Sequence, residues 1–253
     1  MTPIKSSLHD NRPALILGNG PSLDIFPHDL LPHFYTYGCN HIYKLFKRWG
    51  GTTNAVVITD SYRLQEIGDA YCDFPGDLWI GDQRYVNPPV SSIRKLVKRD
   101  FHPIRQLKKE TLTRFPFIDR IRWTKYLFNT VFQKSKITFN LKLGLNFGSS
   151  VVFSAIQLAA IRGHKTILLT GVDANYQQKD QYFQDMQGAS REINPYFTNN
   201  PRVYLEPTLV LAQVCLEAMG VDLIDCTPNG NLRFISKGTF IDQSPFYQKT
   251  KPC

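Results

Sequence analysis

Leu15-Ile16-Leu17-Gly18-Asn19-Gly20-Pro21-Ser22-Leu23 is an apolar run that meets a Gly/Asn/Ser turn. Residues 14–18 read as a buried strand. A strand that ends in such a turn is where an open α/β sheet presents backbone amides to a charged ligand. A related pair of junctions stands far along the chain. Gly148-Ser149-Ser150-Val151-Val152-Phe153 opens a helix-like apolar run, and Lys165-Thr166-Ile167-Leu168-Leu169-Thr170-Gly171-Val172-Asp173 follows as a strand ending in another turn. Each stretch alone is a weak signal. Together they predict a nucleotide site at the carboxyl edge of one sheet.

Outward from these stretches, residues 34–38, 54–60, 77–81, 166–170 and 221–224 read as further strands, the first of them ending at Cys39-Asn40. Amphipathic stretches at 42–48, 62–70, 149–162 and 207–219 fall between them. Strands alternating with helices predict an α/β fold with a mostly parallel sheet covered on both faces. Pro207 suits a helix's first turn, and Gly163 and Gly220 suit helix C-terminal stops.

The 253 residues suit one α/β domain with an elaboration. No run of eighteen or more apolar residues predicts a spanning helix. Met1-Thr2-Pro3-Ile4-Lys5 lacks an apolar signal region, so a cytoplasmic protein is expected. Cys39, Cys72, Cys215, Cys226 and Cys253 are scattered, with no Cys-x-x-Cys pair. They read as reduced thiols, with neither disulfides nor zinc.

The net charge of +9 is uneven: residues 91–142 hold fourteen Lys/Arg against three acids, so the rest of the chain is slightly acidic. That segment interleaves Phe101, Phe115, Phe117, Trp123, Tyr126, Phe128 and Phe132, with apolar positions 117, 118, 121, 128 and 132 in roughly helical spacing. It reads as a helical insertion or lid over the strand ends. The stretch after Phe240 reads as a tail.

Gly18-x-Gly20 lacks the third glycine of a dinucleotide fingerprint, since position 23 is Leu, so an NAD site is poorly supported. Taken alone it is a tight turn capped by Ser22. Asn19 argues for more, because its amide reads ribose, base or phosphate edges. Asn40 stands likewise after the second strand, as an Asx turn or a second ligand contact. His41 reads as helix N-terminal packing. Ser149 and Ser150 either receive an anion or cap the helix. Asp173 ends a strand, and Tyr176 and Tyr182 follow it in a polar loop. They are either surface tyrosines or donors to a departing phosphate. No Asp-x-Asp occurs, which argues for a metal-free mechanism or a monophosphate donor. A P-loop and a Gly-x-Ser-x-Gly elbow are absent too.

Gly18-Asn19-Gly20-Pro21-Ser22, Cys39-Asn40-His41-Ile42-Tyr43, Gly148-Ser149-Ser150, and Gly171-Val172-Asp173 with Tyr176 and Tyr182 resemble, in this order, the bacterial lipooligosaccharide sialyltransferases. The pattern is also similar to the wider GNGPS-domain group that includes the flagellar motility accessory factors. It covers roughly residues 13–60 and 145–235. The resemblance implies a single Rossmann-like domain spanning 1–253, with 91–142 as its lid. It implies a metal-free, inverting transfer from a CMP-activated nonulosonic, sialic-acid-like sugar to a glycan or glycolipid of the bacterial surface, with no cofactor. It also implies that Asn19 and Asn40 hold the nucleotide, that Ser149 and Ser150 lie at the donor, and that Tyr176 and Tyr182 stabilise the leaving phosphate. Gly18, Gly20, Ser22, Gly148 and Asp173 complete the expected donor site.

The family's general-base histidine has no counterpart, because no His occurs from 165 to 253. Glu206 stands near its place, as a carboxylate base or as a helix N-terminal Glu complementing the dipole. Two other functions compete. A 6-hydroxymethylpterin pyrophosphokinase of the same domain group would need ATP, Mg²⁺ and convergent carboxylates, and Asp60 and Asp173 could meet for this at adjacent strand ends. A nucleic-acid-binding protein would use residues 91–142. It ranks last, since no recognised motif accompanies them and no nucleic-acid partner is expected. On the transferase reading, the same segment rests on an anionic inner-membrane surface, and a homo-oligomer is compatible.

Overall fold

A computed structural model of the chain describes residues 10–82, 97, 99–105, 137–148, 150–175, 183, 184 and 201–240. Strand β1 is Ala14–Leu17, β2 Tyr35–Cys39, β3 Ala55–Ile58, β4 Asp77–Asp82, β5 His102–Arg105, β6 Thr166–Thr170, β7 Asp222–Asp225 and β8 Ser236–Lys237. They form one sheet in the order β5-β4-β3-β2-β1-β6-β7-β8. Every neighbouring pair is parallel. The fold is therefore the expected open α/β arrangement of Rossmann type.

All four residues of β1 are buried, as expected of a parallel strand covered on both faces. Ala14 and Ile16 join Tyr37, Val57, Trp79 and Leu169 in one apolar layer. Leu15 and Leu17 join Val56, Ile58, Ile80 and Leu168 in the other. Helix α3, Val151–Ile161, and helix α4, Pro201–Glu217, supply residues to the first layer. The second layer takes residues from the 3-10 turns at Pro21–Ile25, His28–His33, Asn40–Leu45 and Gly68–Tyr71. Helices α1, Phe46–Trp49, and α2, Ser61–Ile67, lie with them.

Three details depart from the sequence reading. His102–Arg105, inside the segment read as a helical insertion, is a strand at the sheet's edge. Residues 106–136, with the helically spaced positions 117–132, lie outside the described residues, as do 241–253. Pro207 is not in a first turn: α4 starts six residues earlier and carries Pro207 inside it. The buried stripe Leu205, Leu209, Ala212 and Leu216 keeps the helix on the sheet and outweighs the one backbone hydrogen bond that a proline removes. Strand β8 was not anticipated. Among the described residues no helix is long and apolar enough to cross a membrane.

Candidate functional site

The strand order reverses at β1, whose neighbours are β2 and β6. That is a topological switch point, where the carboxyl ends of an open parallel sheet part and leave a crevice. Asp173 follows β6, Asn19 follows β1 and Asn40 follows β2, so three of the expected site residues stand side by side along this edge. The turn before α3 joins them beyond β3. A side chain added at Gly81, in β4, would meet the Phe147 ring at 3.0 Å and the Thr59 backbone at 3.1 Å.

The glycines of the first turn serve a close approach. A Cβ at Gly18 would lie 2.2 Å from the Gly171 carbonyl oxygen, and one at Gly20 would lie 1.8 Å from Asp173 Oδ2. Gly18 N–H donates to the Thr170 carbonyl and Gly20 N–H to the Gly171 carbonyl, each at 2.8 Å. Ser22 gives its N–H to Asp173 Oδ1 at 3.1 Å and its hydroxyl to Asp173 Oδ2 at 2.8 Å. The amides expected to face a ligand at Gly18, Gly20 and Ser22 are thus engaged by the β6 turn. Burial raises the Asp173 pKa, and the two Ser22 bonds oppose the rise.

What this edge leaves open is a set of oxygens. Asn19 Oδ1 and Asn40 Oδ1 are enclosed and have no hydrogen-bond partner among the described residues, and the same holds for Thr170 Oγ1. Buried polar groups are paired in the great majority of cases, so these three are candidates for a partner that a ligand would supply, although Tyr37 Oη, Thr53 Oγ1 and Trp79 Nε1 are in the same state elsewhere in the fold. Asn40 adopts φ 45, a left-handed conformation uncommon outside glycine. The Tyr71 hydroxyl donates to its carbonyl. Beside it, His41 is buried with Nε2 3.2 Å from Glu66 Oε1, in the packing role the sequence suggested. Burial lowers the His41 pKa, opposed by Glu66.

At the start of α3, Ser150 Oγ accepts the Val152 N–H at 3.3 Å, so Ser150 is the helix cap. Gly148 has φ 57 and gives its N–H to Asn146 Oδ1 at 2.8 Å. Gln157, fully buried on α3, ties this loop down. Its Oε1 accepts from Thr138 N–H and Asn146 N–H, and its Nε2 donates to the carbonyls of Asn146 and Phe153.

Ser149, Tyr176 and Tyr182 lie outside the described residues. Phe183, the next residue after Tyr182, is fully buried and donates its N–H to the Asn19 carbonyl at 3.1 Å. Glu206 is not at a helix end. It is the sixth residue of α4, buried, with Oε1 accepting the Arg233 N–H at 2.5 Å. The loop after β7 also reaches Asp173, whose carbonyl accepts the Asn231 N–H at 2.8 Å. Asp60 and Asp173 do not meet as adjacent strand ends. They follow β3 and β6, which β2 and β1 separate. At about 4.8 Å per strand, that is three spacings. Among the described residues no group of three or more His, Cys, Asp or Glu gathers.

Thr170, Tyr71 and Gln157 escaped the sequence reading. The one available signal was a glutamine in the middle of a largely apolar helix.

No protein-family model and no curated protein matches the sequence. Among solved structures, the fold is similar to that of the MAf glycosyltransferase from Magnetospirillum magneticum AMB-1. The TM-score is 0.51 and the identity 12%, over 90% of this chain and 33% of that one. This chain therefore spans about a third of that protein's length, and at this identity the likeness concerns the fold.

Proposed function

We propose that the chain is a glycosyltransferase that takes a CMP-activated nonulosonic, sialic-acid-like sugar and transfers it with inversion to a bacterial surface glycan or glycolipid. The observation that carries this reading is the pair of oxygens, Asn19 Oδ1 and Asn40 Oδ1, that stand after the neighbouring strands β1 and β2 on one side of the switch point and have no partner among the described residues. Oxygens that only accept suit the donors of a nucleoside: ribose hydroxyls and the amino group of cytosine. With the amides of Gly18, Gly20 and Ser22 already used, this end of the crevice takes the nucleoside. The phosphate falls to the turn at Gly148, Ser149 and Ser150. Fold likeness to a MAf glycosyltransferase supports the glycosyltransferase part of this reading, not the choice of donor.

In this mechanism the acceptor hydroxyl oxygen bonds to the anomeric carbon as the bond from that carbon to the CMP phosphate breaks. CMP leaves with the electron pair. Tyr176 and Tyr182 donate hydrogen bonds to the departing phosphate. Glu206 takes the acceptor's proton on the oxygen that Arg233 does not hold. No metal enters, and the basic segment 91–142 rests on an anionic membrane surface near the acceptor.

Calorimetry with CMP, with and without EDTA, tests the reading, with ATP and a single-stranded oligonucleotide as comparison ligands. Metal-independent CMP binding is expected. A strict Mg²⁺ requirement with ATP preferred would replace it with the pyrophosphokinase, and preference for the oligonucleotide would replace it with nucleic-acid binding.

A further inference from the structure

We infer that Tyr71 is a positioning residue: its hydroxyl holds Asn40 in the left-handed conformation that places Asn40 Oδ1 at the crevice. The inference rests on the nucleotide reading of that crevice. An asparagine adopts positive φ at a local cost, and such a conformation persists where its surroundings over-determine it. Here the surroundings come from the connection between β3 and β4. Tyr71 ends the 3-10 turn after α2, 31 residues beyond Asn40, and donates its hydroxyl to the Asn40 carbonyl.

The hydroxyl has little freedom. Tyr71 is 1% exposed, and its ring meets Tyr43 edge-on at 5.4 Å and Phe74 at 5.7 Å. The turn it serves is tight on its other side as well, where a Cβ at Gly38 would meet Ile42 Cγ2 at 2.4 Å. Burial leaves the phenol firmly protonated and therefore a donor. Without that donor the Asn40 carbonyl loses its tie to the connection between β3 and β4. The backbone then relaxes toward negative φ and carries the side-chain oxygen with it.

The test is a double-mutant cycle on CMP affinity, run well below the lowest melting temperature of the set. Tyr71→Phe keeps the ring and should weaken CMP about tenfold. In an Asn40→Gly background, where no side-chain oxygen remains to be aimed, the same substitution should change affinity less than about twofold. Equal losses in both backgrounds overturn the inference, because Tyr71 would then act through packing alone.

Melting supplies a measure that needs no ligand. Glycine takes positive φ unaided, so the Asn40→Gly, Tyr71→Phe protein should melt higher than Tyr71→Phe alone. A double variant that melts no higher overturns the inference. Should the unmodified protein fail to bind CMP, the donor reading falls, and Tyr71 is judged on this melting comparison and on the Asn40 backbone carbon shifts. Those shifts leave the left-handed range in Tyr71→Phe if the hydroxyl holds the turn, and stay in it if it does not.

Discussion

The Asp173 carboxylate takes two hydrogen bonds from Ser22, one from its N–H at 3.1 Å and one from its hydroxyl at 2.8 Å, although the residues stand 151 apart in the chain. The turn after β6 thereby caps the turn after β1. Because Asp173 is largely enclosed, these bonds also stabilise its charge against burial.

Ser22→Ala should lower unfolding free energy by about 1.5–3 kcal/mol, the range for a hydrogen bond to a charged group. It should also raise the Asp173 pKa further, since one of the bonds opposing burial is lost. Urea melts and a titration of the Asp173 carboxyl carbon check both. Gly20→Ala should be the more damaging change, because its new carbon would lie 1.8 Å from Asp173 Oδ2.

Asn19→Ala should move stability and binding in opposite directions. The free protein encloses an acceptor with no partner among the described residues, so removing it relieves a burial penalty, and the melting temperature should hold or rise. CMP binding should weaken by about 1–3 kcal/mol, because the ligand's donor is left unpaired. Thermal melts and calorimetry on one preparation decide it. A loss of stability with unchanged binding would make Asn19 a structural residue.

Tyr176 and Tyr182 carry the most exposed part of the proposed chemistry. If their hydroxyls meet the departing phosphate, each Tyr→Phe change should lower kcat by about ten- to a hundredfold, or about 1.4–2.7 kcal/mol, with a smaller effect on donor affinity. The double variant should lose less than the sum if both act on one phosphate. Donor hydrolysis kinetics provide the measure, and unchanged kcat in both single variants removes the tyrosines from the mechanism.

Acid sensitivity should trace partly to Asp77 at the opposite edge of the sheet. His102, 3.7 Å away, and Arg162, 2.7 Å away, hold its carboxyl well below the usual range. A carboxyl with a lowered folded pKa contributes stability above its unfolded pKa of about 3.9 and loses it as pH falls toward the folded value. Asp77→Asn should therefore be less stable than the unmodified protein near neutrality, with the gap closing below about pH 4. Urea melts from pH 2 to 7 would show it, and a gap independent of pH would assign the loss to packing.

The parts legible in sequence were those whose reasons are local. Ala14–Leu17 is apolar at every position because both its faces are covered, and that pattern needs no partner to be read. His102–Arg105 is a strand at the sheet's edge with Ile104 its only buried residue, so its composition points nowhere. Asn19 and Asn40 were legible as asparagines in turns after strands. The fate of the Gly18 and Gly20 amides was not, because the carbonyls that take them belong to Thr170 and Gly171. Tyr71 was hidden for the same reason, since its partner lies across the next crossover.

The switch point also bears on how the protein is assembled in time. β1 is the strand that joins the wing β2–β5 to the wing β6–β8, through pairs such as Leu17 with Thr170. Closing a loop of roughly 150 residues costs about 4 kcal/mol in chain entropy beyond a constant term, whereas contacts within each wing span shorter stretches. The seam is then expected to form late in folding. A nucleotide that touches Asn19 and Asn40 on one wing and the β6 turn on the other would act as a kinetic rivet, lengthening the lifetime of the folded chain more than it speeds its formation.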